Sequence, residues 1–441
     1  MRSREVVLLS GGVILGMESV EVDARVGWVG VVEGRIEMVS FDEAEAESFR
    51  QRYEQVKEVD CRGRVVMPGL INTHCHISMT LMRNYADDHE LMDWLNNYIW
   101  PFEALQSDED IAAGARLGVA ELLLGGCTTF VDMYWNEWVI AQVVKQMGGR
   151  AHLCEAVLDG RESLFVEGLV KLVAEASECD RVSCGVGPHA PYTCSPETMK
   201  LAKTQADKYG IAYTIHLSET DGERAMIEER YGCSPLDYVE RAGMLNEQMI
   251  LAHTIHVTDE EIERIAKSGA SVAHNPQSNM KLASGVAPVA KMMRQGVNCT
   301  VATDGACSNN DLDMWDEMRS ASMLQRVVER DPMALKAYEV LRMATYGAAK
   351  ALGRSDLGVV KEGAVADIVI VDLSAAHLRP ATNVVSALHF CANGGDVESV
   401  MVDGRFVVEG GRLIGFDIEE LCLDVERRSR AIIERVESKE K

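Results

Sequence analysis

Positive charge is what this sequence most lacks. Its 44 Lys and Arg against 69 Asp and Glu leave a formal charge of −25. So acidic a chain is repelled by nucleic acid and by anionic membrane surfaces, and neither is expected as a partner. The acidity serves solubility and carries no information about a substrate. None of the 12 cysteines forms a C-x-x-C pair. Their scatter reads as free thiols in a reducing compartment, not as a disulfide framework. No apolar signal run precedes Arg2-Ser3-Arg4-Glu5, and no stretch is long and apolar enough to span a bilayer, so a cytoplasmic protein is expected. Internal repeats and low-complexity linkers are absent too. Aromatics make up only 6 % of the 441 residues and apolar residues 47 %. That is an ordinary globular composition, with room for one large domain and a smaller one.

The two ends read alike. Val6-Val7-Leu8-Leu9 and Val29-Gly30-Val31-Val32 are apolar β runs, and Glu33-Gly34 is a hairpin turn before Arg35–Val39. Residues 42–57 are charged and read as a helix or a loop. Near the C-terminus, residues 366–372 read as a strand, and residues 397–402 and 405–408 form a second hairpin around Asp403-Gly404. Two β-rich ends around a different middle predict one discontinuous β-sandwich, built from residues 1–63 and 354–441, the latter ending in a helix.

The middle, residues 64–353, alternates β runs with helical patterns. Strands are expected at 65–72, 127–133, 151–158, 182–188, 212–217, 249–252, 270–273 and 298–303. Helices separate them, as at 108–124, 196–209 and 259–267. This alternation matches a (β/α)₈ barrel of the TIM type better than a doubly wound sheet.

Histidines and acids then fall into a pattern. His74 and His76 follow the first strand, two residues apart, so both face one side while Cys75 faces the other. His189 follows strand 4, His216 and Glu219 end strand 5, and His253 follows strand 6. His274 follows strand 7, and Asp304 ends strand 8. All lie at the carboxyl ends of strands, where such barrels build active sites. His152, His377 and His389 do not, and read as structural or exposed.

Neutral imidazoles with a carboxylate suit Zn²⁺, and Fe²⁺ or Mn²⁺ accept similar sets. His74, His76, His216 and Asp304 are expected to hold one divalent ion, which would lower the pKa of water toward ~7. Glu219, three residues after a ligand, is placed to carry protons to a substrate nitrogen. His253 is placed to polarise a developing oxyanion. The strand 4 end offers His189 and no Lys or carboxylate to bridge two ions, so one metal per chain is expected.

Six stretches together resemble the amidohydrolase superfamily, and more closely its deaminases acting on 5′-methylthioadenosine and S-adenosylhomocysteine. They are Pro68–His76, Trp100-Pro-Phe-Glu103, Gly187-Pro-His189, His216-Leu-Ser-Glu219, residues 274–282 and residues 303–310. The resemblance implies metal-dependent conversion of an adenine nucleoside to its inosine analogue and ammonia. It implies His74, His76, His216 and Asp304 as ligands and Asp304 also as base. Glu219 is implied as the acid toward the purine, and His253 as a neighbour of the attacking hydroxide. Glu103 is implied to bind ribose hydroxyls, His189 to touch the sugar, and Trp94 to line the 5′ side. It also implies a homo-oligomer. Family members that take S-adenosylhomocysteine can present two arginines after the third strand. Here Arg161 supplies one and Glu155 stands at the other position, where a carboxylate would repel that substrate's own. Neutral 5′ groups are therefore expected to be preferred. Guanine-type deaminases and triazine hydrolases share parts of the pattern, but a free base has no hydroxyls for Glu103. A catalytically silent scaffold would have no need of the ligand set.

Overall fold

The computed structural model describes residues 5–439. Arg2 to Arg4 of the N-terminal reading lie outside the described residues. The chain begins as β1 (Val7–Leu15), β2 (Ala24–Val32), β3 (Arg35–Ser40), β4 (Lys57–Asp60) and β5 (Arg64–Pro68). Glu33 and Gly34 both take positive φ, 51° and 84°, the backbone a tight right-twisted hairpin demands. Residues 42–57 contain a helix, Glu43–Arg52, capped by the Asp42 side chain on the Ala44 N–H.

The barrel strands follow: β6 (Leu70–His76), β7 (Cys127–Tyr134), β8 (Arg150–Val157), β9 (Val182–Pro188) and β10 (Ala212–Leu217), then β11 (Met249–His253), β12 (Ser271–His274), β13 (Asn298–Val301) and β14 (Asp304–Gly305). Their sheet order runs β13-β12-β11-β10-β9-β8-β7-β6-β14. β14 continues the chain from β13 and pairs parallel with β6, Asp304 opposite Cys75, which closes the barrel. Every residue of β6, β7 and β8 is buried, as a parallel sheet requires when helices cover it outside and side chains fill it inside.

The last strands are β15 (Ile368–Asp372), β16 (Val397–Val402), β17 (Arg405–Glu409) and β18 (Arg412–Leu413). They meet the N-terminal strands in one path, β18-β17-β16-β15-β5-β1-β2-β3, with β4 beside β1. β5 sits between β15 and β1, so the two ends of the sequence share a core. Leu9, Ile14 and Val66 pack there with Ile368, Ile370 and Met401.

The first barrel strand differs from its expectation at 65–72. Val65–Met67 belong to β5 in the terminal sheet, and the barrel strand starts at Leu70. The break falls at Pro68-Gly69. A Cβ on Gly69 would lie 2.2 Å from the Thr128 side chain, so only glycine lets the chain pass between sheets there. Gly69→Ala is expected to cost about 1–3 kcal/mol through this clash, read as a lower thermal midpoint. An unchanged midpoint would show that Thr128 yields freely. Strand 8 is also shorter than expected, ending at Val301 before the β14 bridge.

Two compact units emerge: residues 1–72, 122–129 and 313–416, and residues 73–121, 130–312 and 417–441. The expected division at 63/64 assigns β5 to the barrel, whereas β5 pairs in the terminal sheet and the change of sheet falls at Pro68-Gly69. Within the first unit, the Trp315 indole donates to the Gly125 carbonyl at 2.9 Å. Within the second, Arg428 of the C-terminal helix Ile418–Lys439 pairs with Asp110 at 2.8 Å. No helix among the described residues is long and apolar enough to cross a membrane, and none of the twelve cysteines is in a disulfide.

Candidate active site

The period of two in β6 places His74 and His76 together, and their ring centroids are 4.9 Å apart. Cys75 faces the opposite way, toward the Val131 carbonyl and Asp132. His216 from β10 and Asp304 from β14 complete the set. The candidate ligand atoms of these four buried residues lie within 4.8 Å of one another.

The outward hydrogen bonds of His76 and His216 turn their other ring nitrogens inward. His76 donates from Nδ1 to the Met133 carbonyl at 2.7 Å, and His216 from Nδ1 to the His189 carbonyl at 2.7 Å. With both Nδ1 atoms donating outward, the two Nε2 atoms approach to 3.3 Å. That arrangement calls for a cation between them, and the backbone carbonyls hold each ring in the ligating tautomer. Asp304 is divided similarly. Its Oδ2 accepts from the Ser278 and Ser308 hydroxyls at 2.6 and 2.8 Å, while Oδ1 faces His74 and His76 Nε2 at 3.5 and 3.2 Å. The four residues therefore fit a divalent ion.

Electrostatics agree. Burial pushes His74 down to about 4. His76 resists the same burial because Asp304 faces it, and is lifted to about 9. Burial and the neighbouring imidazoles hold His216 well below its usual range. Burial acts to raise Asp304, but its contacts with His74 and His76 override it and keep the carboxylate ionised. The pocket thus assembles an anion among mostly neutral imidazoles.

Glu219 and His253 stand beside this set, His253 Nε2 at 4.0 Å from Glu219 Oε2. Burial raises Glu219, with His253 opposing. Glu223 accepts the Ser218 and Glu219 N–H groups at 3.0 and 2.9 Å, which anchors the segment carrying Glu219. His253 Nδ1 pairs with Asn279 Oδ1 at 2.8 Å, turning Nε2 into the pocket. Ser218, His253 and Asp304 take positive φ of 50°, 65° and 64°, a strained backbone typical of functional positions.

One pocket contains His76, Glu103, His189, Glu219, His253 and Asp304. Burial lowers His189 to about 3, so it is neutral. Its Nδ1 lies 3.0 Å from the Thr193 hydroxyl, which itself donates to the Ala190 carbonyl, and Nε2 is left as an acceptor. Trp94 lines the pocket as expected, with Leu91, Leu95 and Ile99 beside it.

Three expectations change. Glu155 does not line the pocket. It is buried on the outer side of β8 and accepts the Asn136 and Glu137 N–H groups at 3.0 and 2.9 Å, because alternation along β8 turns the neighbouring Ala156 inward instead. Its carboxylate cannot repel a substrate there. Arg161 is not on the pocket wall either. Its guanidinium lies 4.4 Å over the Trp135 ring, and Trp135 is the residue that lines the pocket. His274 is wholly buried outside the pocket, held neutral near 3 by burial, with neither ring nitrogen hydrogen-bonded among the described residues. Of the remaining histidines, His152 meets Ser183 and His389 meets Ser322, both as structural contacts, and His377 pairs with Asp396.

Sequence reasoning missed Trp135, Tyr134, Ser278, Asn279 and Ser308. Ser278 and Asn279 follow His274 closely and Ser308 lies four residues after Asp304, so their motifs were visible but not their roles. Trp135 had only its place just past a strand's carboxyl end as a signal.

The amidohydrolase family matches residues 65–407. A 5-methylthioadenosine/S-adenosylhomocysteine deaminase of Desulforudis audaxviator is 41 % identical over 415 residues, 93 % of this chain and 96 % of that protein. One from Thermococcus sibiricus is 44 % identical over 356 residues, covering 79 % and 84 %. The crystal structure of an adenosine deaminase from Xanthomonas campestris with bound zinc superposes with a TM-score of 0.92 at 34 % identity, covering 99 % of each chain. Matched by that family over residues 65–407 and at 41–44 % identity to these relatives, the chain belongs to the amidohydrolase family, among its 5-methylthioadenosine/S-adenosylhomocysteine deaminases.

Proposed function

We propose that this enzyme hydrolyses the C6 amino group of adenine nucleosides, releasing ammonia and the inosine analogue. The observation that carries this reading is one pocket with two chemical ends. The His74, His76, His216 and Asp304 quartet, with Glu219 and His253, forms one; Glu103 and His189 belong to the other.

His74, His76, His216 and Asp304 would hold one ion, which we take to be zinc; when bound, it supplies Lewis acidity and makes water a nucleophile at neutral pH. Asp304 takes the proton of the attacking water; the two serine hydroxyls on Oδ2 keep Oδ1 aimed inward. Glu219, its proton affinity raised by burial, delivers a proton to the ring nitrogen beside C6 as water adds there. His253, held by Asn279, offers Nε2 to the oxygen that arrives at C6. Asp304 then returns its proton to the amino nitrogen and Glu219 takes the proton of the new C6 hydroxyl, so that collapse of the tetrahedral carbon forms the C6 carbonyl, expels ammonia and restores both carboxyl groups. At the other end Glu103, raised by burial against its contacts with Tyr134 and Trp135, accepts both ribose hydroxyls, and neutral His189 accepts one more hydrogen bond. A free base or a triazine brings no ribose hydroxyls and would leave Glu103 with the Trp135 indole as its donor in place of three, which disfavours it.

Leu91, Trp94, Leu95 and Ile99 make the 5′ side apolar. They support preference for neutral 5′ groups, as in 5′-methylthioadenosine, 5′-deoxyadenosine or adenosine, in place of the argument from Glu155. Arg161 acts there by backing Trp135. Ammonia release should be measured with these nucleosides, S-adenosylhomocysteine, guanine and a triazine. The expected order puts 5′-methylthioadenosine first in kcat/KM. A tenfold advantage for S-adenosylhomocysteine would refute the neutral preference, and turnover of guanine or the triazine alone would refute the nucleoside reading. We also place the protein in the cytoplasm, where free thiols persist, as a homo-oligomer without nucleic-acid or membrane partners.

A further inference from the structure

Glu155 is a carboxylate buried to 2 % exposure on the side of β8 away from the pocket. A buried carboxylate persists only where donors meet it. Here both oxygens are used: Oε1 takes the Asn136 N–H at 3.0 Å and Oε2 the Glu137 N–H at 2.9 Å. Those amides belong to the turn leaving β7, where Asn136 sits at φ 55°. Glu137 pins the same turn from its other side, its Oε1 accepting the Tyr134 N–H at 2.8 Å. The helix Glu162–Ser177 leaves room for this carboxylate. At Gly168 an added Cβ would lie 2.5 Å from Glu155 Oε1.

The two residues preceding the pinned amides are the ones that reach Glu103. The Trp135 indole N–H donates to Glu103 Oε2 at 3.3 Å, and Tyr134, whose hydroxyl donates to Gln106 Oε1 at 3.0 Å, lies close enough to act on the same carboxylate. Arg161 covers the other face of that contact by stacking on Trp135. We infer that Glu155 is a positioning residue for ribose recognition: it fixes the turn that aims Trp135 and Tyr134 at Glu103. This rests on the reading of Glu103 as the acceptor of the ribose hydroxyls. Misplacement of a positioning group by about 1 Å is enough to lose up to ~10²-fold in turnover efficiency.

The test compares adenosine with 2′-deoxyadenosine. Glu155→Gln keeps size but sets an amide N–H₂ against one of the two backbone donors. It is expected to lower kcat/KM for adenosine about tenfold, chiefly through KM, and to leave 2′-deoxyadenosine within about twofold. A loss of general stability would reduce both substrates alike. Trp135→Phe should narrow the same ratio, and the double variant should be no worse than the more impaired single one, since both act through one contact. Gly168→Ala, which displaces Oε1 without removing it, should repeat the effect and stands in if Glu155→Gln fails to fold. Glu103→Ala calibrates the series by abolishing the ratio. If Glu103→Ala leaves the ratio intact, the ribose reading falls and this inference with it. If Glu103→Ala abolishes the ratio but Glu155→Gln and Gly168→Ala preserve it, or if the Trp135 and Glu155 effects multiply, Glu155 does not position Glu103.

Discussion

Glu219→Gln is expected to lower kcat by about 10²–10⁴-fold, the range for removing a general acid. Glu219 is buried, and burial raises its proton affinity, so the carboxyl holds a proton more readily than an exposed glutamate and can pass it on and regain it each cycle. Glutamine has the same shape and can keep the backbone anchor on Glu223, since the Ser218 and Glu219 N–H groups supply that contact. It cannot shuttle a proton. Because Glu219 lies outside the ligating quartet, metal content and thermal midpoint should match the parent. Near-normal turnover in this variant would reject the assigned role, and loss of metal would show that Glu219 serves the ion instead.

Asp304→Asn should do more damage, about 10⁴-fold in kcat/KM. This combines at least ~10²-fold from proton transfer with a comparable loss of metal affinity. Asp304 is the only carboxylate in the quartet, and each of its oxygens has a separate duty, Oδ2 to Ser278 and Ser308 and Oδ1 to the imidazoles. The neutral amide removes the negative charge that balances the ion and presents an N–H₂ group to one of those partners. Elemental analysis should find one ion per parent chain and far less in the variant. Chelation should inactivate the parent with a lower midpoint, because an ion that binds only the folded state stabilises it by mass action. Two tightly held ions per chain would overturn the mononuclear assignment, and full activity after exhaustive chelation would overturn metal dependence.

The ligand positions were legible because they follow local rules. An i, i+2 spacing on a strand places His74 and His76 on one face whatever surrounds them, and a strand's carboxyl end can be read from where its apolar run stops. The helices at 108–124 and 196–209 and the strands at 182–188 and 212–217 matched their expected bounds, since their caps and periodicity are properties of the segments themselves. The run at 65–72 was not legible as two strands. Both halves are apolar and β-forming, and what separates them is the close approach of Thr128 to Gly69, more than fifty residues away in sequence.

Glu155 shows the limit most clearly. Sequence comparison set it opposite an arginine and so inside the pocket, yet the phase of β8 relative to its neighbours turns it to the helix side and Ala156 inward. A one-residue change of phase exchanges the faces of a strand, and nothing local to residues 150–157 records that phase. Trp135 and Asn279 were hidden for a related reason: each acts by touching a residue from another element, Glu103 on a helix and His253 at a strand's end.

The sequence by itself determined the barrel, the meeting of the two ends in one β unit (expected as a sandwich, built as one sheet), the His74, His76, His216 and Asp304 quartet, and Glu219 and His253 beside it. Periodicity, turn chemistry and ligand type are written in neighbouring residues. Only the tertiary structure decided which face Glu155 occupies, that Arg161 reaches the pocket through Trp135, and which serine and asparagine side chains hold Asp304 and His253. Those depend on how separate strands are phased and closed into a barrel, where the partners are distant in sequence and meet only after folding.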